Sequence, residues 1–273
     1  MDHFHISTGE EESKFGTDVD RSPALAEQVA KIPAVTMIGM RMHIDSQVAT
    51  VDLHGVATAK WGELIAQMRK MGHPIAWYSV GGGLGIDDRG LEAMPIAGVT
   101  KVILPEIKAA GCRLAMEPAR PIGGNAGILA SRVLYTKQSG EKRFLIRDAA
   151  MNDPIRPALH RESSRRVRPV DVPAGLPAPP ADSEAEIVGT EPRDVVGQAR
   201  ESGEFPAKDR ALPRLDRGTL LANFSAGAYG MVMASNDNTR PRAAEVLVDG
   251  TALHPVRRRE TYEDSVLQEH VGI

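Results

Sequence analysis

Hydrophobic and polar positions in the first half of the chain switch between strand-like and helix-like patterns. Strands are predicted at 35–44, 76–80 and 113–117, and helices at 55–71 and near the end of 101–111. The segment 35–44 is apolar and partly β-branched, which is typical of a buried strand. The segment 55–71 has apolar side chains near helical spacing, and the glycine that follows it is a common helix stop. Strands separated by helices indicate βαβ units and a parallel sheet.

The pattern changes near residue 129. Residues 131–137 and 142–149 predict a hairpin, and the later segments 194–202, 220–230 and 243–250 contain strands and turns without a strong helix between them. This pattern favours an antiparallel β domain. Segment 161–193 is rich in Pro, Arg and acidic residues, so we expect a mobile, disordered surface loop there. The predicted domains are therefore 1–128 and 129–273.

Composition narrows the class of protein. A chain of 273 residues with 42% hydrophobic and 25% charged residues is ordinary for a soluble globular protein of one or two domains. The net charge of -3 does not indicate the basic surface that binds nucleic acid. No apolar run approaches the roughly 20 residues that span a bilayer. A single cysteine, Cys112, excludes an internal disulfide and is typical of a reducing compartment. With no signal-peptide pattern at the N-terminus, we expect a cytoplasmic protein with no metal site and no nucleic-acid or membrane partner.

The clearest local signal is SVGGGLGI at 79–86, in which Gly81, Gly82 and Gly83 directly follow a predicted strand. Glycines at such a position let the backbone approach a ligand and point N–H groups at an anion, most often a phosphate. A tight turn without a ligand explains the same residues about equally well.

Two further motifs stand at strand ends. In MEPAR (116–120), Glu117 and Arg120 emerge together, as functional groups do in barrel enzymes, although a strand-end ion pair is the simpler interpretation. In MHIDSQ (42–47), His43 and Ser46 leave an apolar strand, and a lone histidine there is more often structural than catalytic.

Two motifs of the second half are equally ambiguous. SAGAYG (225–230) can be a turn with a packed tyrosine, and MNDPIRP (151–157) can be a loop with a surface arginine.

The order of these motifs resembles diaminopimelate decarboxylase. The resemblance rests on MHIDSQ, GGGLG, EPAR, DAAMNDPIRPAL, ESGEF, SAGAYGMVM, PRAAEVLVDG and RRRETYED, and it runs from about residue 6 to 264. It is weakest at 87–110 and 161–193. This family consists of fold-type III pyridoxal-phosphate enzymes, and the resemblance implies a (β/α)8 alanine-racemase-like barrel followed by a C-terminal antiparallel β domain. Residues 1–128 would then be the C-terminal part of the barrel, and the family works as dimers with active sites at the subunit interface.

The resemblance also implies a role for each candidate residue. His43 would stack on the ring of pyridoxal 5'-phosphate, Glu117 would pair with the ring nitrogen, and a carboxylate there strengthens the ring as an electron sink. The phosphate end would be held by Ser46, Gly81, Gly82, Gly83 and Tyr229. Substrate carboxylates would be bound by Arg120 and Arg156, as suits a guanidinium fork, with Tyr229 also at the substrate. Glu201 would act in catalysis and recognise the distal amino group across the dimer interface.

Several positions depart from the family pattern. The Schiff-base lysine of the family lies well upstream of the serine-threonine-glycine segment that begins here at Ser7. We therefore expect an N-terminally truncated chain. Lysines such as Lys14, Lys60, Lys70, Lys108 and Lys137 do not match the lysine motif. The family cysteine before Glu201 is replaced by Arg200, which cannot do the proton transfer of a thiol. Asp45 and Ala119 replace glycines, and His160 replaces a tyrosine that contacts the substrate.

The implied reaction converts meso-diaminopimelate to L-lysine and CO2, a step of lysine biosynthesis. We expect the chain alone to be inactive because the segment with the Schiff-base lysine is missing. We also expect it to be poorly soluble, because a partial barrel exposes strand edges. Two alternatives remain open. The chain is a non-catalytic partner subunit, in a homodimer or in a heterodimer with a full-length homologue, or it is a fragment of a split or degraded decarboxylase gene. For physiology, the fragment is the favoured interpretation.

Overall fold

The structure is a computed structural model that describes residues 15–46, 48, 50–86, 95–160, 167–170, 189–199, 201 and 207–270. The chain divides into two compact units, of which the first reaches Ile122 and the second begins at Gly123. The domain boundary at 128/129 stays a prediction from the sequence. In the described residues, no helix is both long and apolar enough to cross a membrane.

The first unit contains two successive βαβ units. Its elements are α1 (Ser22–Ala30), β1 (Gly39–Arg41), α2 (Val51–Lys70), β2 (Trp77–Ser79), α3 (Ile96–Ala109), β3 (Arg113–Ala115) and α4 (Ala119–Gly123), the last of which crosses into the second unit. The three strands form a parallel sheet in the order β1-β2-β3. Gly39, Trp77 and Arg113 are aligned at the amino end of this sheet. Strand β1 is shorter than the predicted strand 35–44, whereas α2 begins four residues before the predicted helix.

Helix α3 continues through Pro105, which has no N–H to donate to the preceding turn. Its buried residues Val99, Ile103 and Ile107 are spaced four apart and therefore share one face. Burying side chains of this kind stabilises a fold by about 1.5–3 kcal/mol each. Packing of this face therefore outweighs the lost hydrogen bond, and the helix is much longer than the segment that the sequence predicts.

The core of the first unit lies between the sheet and helices α2 and α3. Leu64, Ile65 and Met68 of α2 join the buried face of α3 in a single hydrophobic cluster. Tyr78 of β2 is fully buried, and its hydroxyl donates a hydrogen bond of 2.5 Å to the backbone carbonyl oxygen of Thr58. Burial raises the pKa of Tyr78. This core fixes the sheet on the helices, and so fixes the strand ends at which the candidate site lies.

The second unit is built mainly of β-strands. Its elements are β4 (Leu129–Ser139), β5 (Lys142–Arg147), α5 (Ile155–His160), β6 (Val167–Pro169), β7 (Thr190–Val196), β8 (Ala207–Pro213), β9 (Leu220–Asn223), β10 (Glu245–Asp249), β11 (Ala252–Arg257) and α6 (Tyr262–Ser265). A six-stranded sheet has the order β6-β9-β4-β5-β7-β8. Strands β4 and β5 form the predicted hairpin, and the sheet is antiparallel except where β5 and β7 pair in parallel.

Two parts of the predicted loop 161–193 are instead strands. Val167–Pro169 pairs with β9, and β7 begins at Thr190. Val167 is fully buried in the core of this unit. Burial of its apolar side chain therefore favours a strand here, despite the polar composition of the surrounding segment. The rest of the predicted loop, at 161–166 and 171–188, lies outside the described residues.

The C-terminal part of the second unit is held by an ion pair between Arg242 and Glu260. The Nε of Arg242 donates to Oε1 of Glu260 over 2.7 Å, and the backbone N–H of Arg242 donates to Oε2 over 2.8 Å. The side-chain amide of Asn236 donates to the same carboxylate. These donors, led by the Arg242 guanidinium, lower the pKa of Glu260 to about 2.

Candidate active site

The candidate site lies at the carboxyl edge of the parallel sheet in the first unit. There β1 leads to His43, β2 to the glycines at 81–83, and β3 to Glu117. The N–H of Glu117 donates to the carbonyl oxygen of Gly81 over 2.9 Å, and the N–H of Val48 donates to that of Gly83 over 2.9 Å. The glycine loop is therefore tied to the chain that follows each neighbouring strand, as expected for strand ends of a parallel sheet.

Close approach of neighbouring backbone explains why this loop is made of glycine. A Cβ atom on Gly81 would overlap the carbonyl oxygen of Met42, and one on Gly83 would overlap that of Asp45. Both glycines have φ in the left-handed region, at +71° and +83°. On Gly82, a Cβ would lie 2.7 Å from the carbonyl oxygen of Glu117. The tight-turn interpretation is thus sufficient for the sequence motif, and a phosphate role for it stays a prediction.

His43 presents a neutral imidazole to this edge. Its Nδ1 accepts a hydrogen bond from the N–H of Gly82 over 3.3 Å, so the ring proton of the neutral form lies on Nε2. Burial lowers the pKa of His43, and the positive charge of Arg41 lowers it further. A neutral, half-buried ring is suited to stacking on a flat heteroaromatic ligand.

Glu117 forms an ion pair with Arg41, across the end of β2. The Nε of Arg41 lies 2.5 Å from Oε1 of Glu117, and its Nη2 lies 2.6 Å from Oε2. The Arg41 hydrogen bond is the main reason that the pKa of Glu117 is lowered, and a hydrogen bond to the Ser79 hydroxyl contributes to the same effect. The simpler interpretation of MEPAR was a strand-end ion pair of Glu117 with Arg120, whereas the structure pairs Glu117 with Arg41.

Arg41 is the residue of this edge that the sequence interpretation missed. It lies two residues before His43, and side chains at this spacing in an extended chain point to the same face. An arginine beside a candidate histidine was the available signal, but its partner is 76 positions away in the sequence.

Arg120 and Ser46 lie on the segments that flank the same edge. Arg120 is half-buried at the start of α4, and its positive charge acts on the pKa of His43. The N–H of Ser46 donates to the carboxylate of Asp45 over 2.7 Å. The charge of Asp45 acts on His43 in the opposite direction to that of Arg120. The replacement of glycine by Asp45 therefore adds a negative charge to this edge.

In the second unit, two other candidate site residues, Arg156 and Tyr229, contact each other. The guanidinium carbon of Arg156, on α5, lies 5.1 Å from the ring centroid of Tyr229, which is a cation–π distance. Tyr229 has φ of +64°, an uncommon conformation for a residue with a side chain. Glu201 is exposed. Arg200 and the side chain of His160 lie outside the described residues.

Comparisons with known proteins show which proteins the chain is similar to. Residues 1–124 match the family described as pyridoxal-dependent decarboxylase, pyridoxal binding domain. Diaminopimelate decarboxylase of Aquifex aeolicus is 36% identical over 96% of this chain and 59% of its own length. The enzyme of Pseudomonas aeruginosa is 42% identical over 96% of this chain and 60% of its own length.

Solved structures show the same fold. Diaminopimelate decarboxylase from Helicobacter pylori, complexed with L-lysine, has a TM-score of 0.85 and 30% identity, and the match covers 98% of this chain and 63% of that one. The enzyme from M. jannaschii in co-complex with L-lysine has a TM-score of 0.84 and 28% identity, over 98% and 60%. The expectation of a partial (β/α)8 barrel followed by a β domain is confirmed. The chain spans about three fifths of the length of the curated relatives that it matches.

Pyridoxal 5'-phosphate is the cofactor of this family, and the residues at the sheet edge fit its chemistry. Gly82 N–H makes only a long hydrogen bond of 3.3 Å to His43, the imidazole is neutral, and the side chain of Glu117 is 46% exposed. The N–H of Gly82, the imidazole ring of His43 and the ionised carboxylate of Glu117 therefore lie at one edge of the sheet. The carboxylate also accepts hydrogen bonds from Arg41. From its sequence and its fold together, the chain is similar to pyridoxal-phosphate-dependent decarboxylases, and among them to the diaminopimelate decarboxylases.

Proposed function

We propose that this chain supplies the ring-binding, phosphate-binding and carboxylate-binding part of a cytoplasmic diaminopimelate decarboxylase, which converts meso-diaminopimelate to L-lysine and CO2. The observation that carries the proposal is the meeting of His43, the glycine loop and Glu117 at the carboxyl edge of one parallel sheet. Barrel enzymes place their functional groups at this edge. Similarity to diaminopimelate decarboxylases over nearly the whole chain supports the substrate class.

The residues of the first unit would bind and orient the cofactor. When bound, pyridoxal phosphate supplies an electron sink for the electron pair left by the departing CO2. His43 would hold the ring by its neutral imidazole face, and the amides at 81–83 and Ser46 would bind the phosphate. Glu117 stays ionised because its pKa is lowered by Arg41, so it can accept a hydrogen bond from a protonated ring nitrogen.

The arginines would bind the carboxylates of the substrate. Arg156 is oriented by its contact with Tyr229, and a guanidinium fork matches the two oxygens of a carboxylate. Arg120 would take a second carboxylate, and Tyr229 would contact both substrate and cofactor phosphate. Glu201 would bind the distal amino group from the partner protomer of a dimer. These assignments follow the resemblance, and the two L-lysine complexes of relatives support a diamino acid as ligand.

Among the described residues, the candidate site contains no lysine amine for covalent attachment of the cofactor. In the part of the chain that the structure describes, Lys60 and Lys70 lie on α2, Lys101 and Lys108 lie on α3, and Lys142 pairs with Asp194 and Asp209. None of the described lysines belongs to the strand ends of the candidate site. We therefore propose that a segment other than these residues supplies the amine, and that the chain alone does not decarboxylate.

Two measurements test the proposal. N-(5'-phosphopyridoxyl)-L-lysine, which joins cofactor and product-like moieties without needing a lysine, should bind saturably in a calorimetric titration. Glu117→Gln should weaken this binding, whereas Glu63→Gln, which removes an exposed carboxylate on α2, should leave it unchanged. Carboxyl-labelled meso-diaminopimelate with added pyridoxal phosphate should release no labelled CO2 above the rate without protein.

Each outcome is decisive for one part of the proposal. A chain that fails to bind the conjugate contradicts the proposed binding role. A chain that binds the conjugate and also releases CO2 supports the decarboxylase assignment, but contradicts the statement that the amine comes from elsewhere.

A further inference from the structure

His54 is a buried histidine in the first turn of α2. Its surface is only 1% exposed, and among the described residues neither ring nitrogen has a hydrogen-bond partner. Polar groups in protein interiors are normally hydrogen-bonded, because burial without a partner costs free energy. An apolar side chain would avoid this cost, so packing alone does not account for a histidine here.

The folded chain holds His54 in its neutral form. Burial lowers the pKa of His54, and it is the only cause of the shift. A protonated imidazole has two N–H donors, and in the described part of the chain neither would have an acceptor. The first turn of a helix also carries the positive end of the helix dipole, which disfavours a cation there.

No neighbouring charge offsets the cost of protonation. Helix α2 packs against α1 and α3, and the carbonyl oxygen of Thr58, one turn after His54, accepts a hydrogen bond from Tyr78 of β2. Ionisable groups on these elements, and in the first turn of α2, are Asp52, Glu27, Tyr78, Lys101, Glu106 and Lys108. None of them contributes to the lowered pKa of His54. A proton on this ring is therefore stabilised only if the ring reaches solvent.

The start of α2 is linked to the candidate site by the chain that precedes it. The N–H of Val48, just before α2, donates to the carbonyl oxygen of Gly83 over 2.9 Å. His43 and Ser46 belong to the same segment, between β1 and α2. A first turn of α2 that leaves the core would therefore pull on the segment that holds His43 beside the glycine loop.

We propose that His54 is an acid-sensitive switch beneath the candidate site: when its ring takes up a proton, the start of α2 opens and the segment that carries His43 leaves the sheet edge. Below pH 6.5, the ordinary pKa of histidine, the opened or unfolded form binds one proton more than the closed form. The closed form is therefore fully stable with respect to this group above pH 6.5. It loses up to about tenfold in its equilibrium constant for each pH unit below that value.

Urea denaturation at pH 7.5, 6.5, 5.8 and 5.0, followed by tryptophan fluorescence, tests the proposal. Both tryptophans, Trp61 and Trp77, report the first unit. In the unaltered chain, the equilibrium constant for unfolding should rise by roughly tenfold for each pH unit below 6.5. His54→Leu, which cannot titrate, should remove most of this rise. His254→Gln, at an exposed histidine of the second unit, should keep it.

Hydrogen exchange shows where the chain opens. At pH 5.0, after correction for the intrinsic exchange rate, the amides at 51–58 should lose protection before those of α3. His54→Gln, which keeps a polar group but cannot titrate, should retain this protection. Equal loss of protection in α2 and α3, or retained protection at 51–58 in the unaltered chain, would overturn the opening.

Two results of the urea experiment would overturn the switch. One is an equal pH dependence for His54→Leu and the unaltered chain. The other is an unfolding constant of the unaltered chain that does not change between pH 6.5 and 5.0, and this result decides the matter even if neither variant at His54 folds. Neither readout needs a ligand, so a failure of the switch leaves the proposed function standing.

Discussion

Substitution of Gly82 by alanine isolates the steric role of the glycine loop. Gly82 is buried, and its φ lies outside the left-handed region, so an added methyl group changes packing without imposing an unfavourable backbone conformation. The new Cβ would lie 2.7 Å from the carbonyl oxygen of Glu117, whereas ordinary contacts begin near 3.4 Å. Because the obstructing atom is backbone, the end of β3 must move by several tenths of an ångström.

The magnitude follows from this overlap. Adding a methylene-sized group to a well-packed site costs about 1–3 kcal/mol. Gly62→Ala is the contrasting control, because Gly62 lies inside α2 with nothing within 4 Å of the added Cβ. Alanine in a helix interior is favoured over glycine by about 0.5–1 kcal/mol. The two substitutions are therefore expected to change the free energy of unfolding in opposite directions.

Urea denaturation followed by tryptophan fluorescence is the appropriate assay. Both tryptophans of the chain, Trp61 and Trp77, belong to the first unit, so their emission reports the unfolding of the unit that contains both glycines. The midpoint should fall for Gly82→Ala and rise for Gly62→Ala. Equal midpoints for Gly82→Ala and the unaltered chain would refute the packing explanation, because the loop would then have room for a side chain.

Three further predictions concern the core of the first unit and the pH dependence of the second. Ile103→Ala should lower the free energy of unfolding of the first unit by about 2–5 kcal/mol, whereas Val56→Ala, at a side chain that is 72% exposed, should change it little by tryptophan fluorescence. Tyr78→Phe should cost about 0.5–1.5 kcal/mol in the same assay, because the hydrogen bond to Thr58 is lost. The pKa of Glu260 is depressed from 4.5 to about 2, so its contribution to stability is present above pH 4.5 and is lost as the pH falls towards 2. Glu260→Gln should therefore flatten the pH dependence of unfolding of the second unit in that window, as measured by circular dichroism, and an unchanged slope would contradict the assignment.

The sequence predicted those parts of the fold that depend on local pattern. Helix α2 and the β4–β5 hairpin follow from periodicity and a glycine turn within one short segment, and both are confirmed. The parallel pairing of β5 with β7 was not predicted, because it joins strands that are about fifty residues apart. Val167 pairs with β9 and lies in a hydrophobic cluster of residues distant in the sequence, so composition alone placed it in a loop.

The candidate site was predictable to a similar extent. The predicted strands and their parallel order place three features at successive strand ends, namely His43, the glycine loop and Glu117. The Arg41–Glu117 pair could not be read from the sequence, because it depends on two side chains that reach across an intervening strand. The roles of these residues towards a cofactor stay predictions that require a bound ligand.

Binding of pyridoxal 5'-phosphate to the purified chain shows whether the sheet edge of the first unit is a cofactor site. The absorption spectrum should be recorded during titration with the cofactor, followed by borohydride reduction and determination of the intact mass. We expect saturable binding with one equivalent of cofactor, no adduct on a single specific lysine, and loss of binding when His43 is replaced by alanine. A chain that shows no saturable binding, or one that carries a stoichiometric reduced adduct on one lysine, would contradict it.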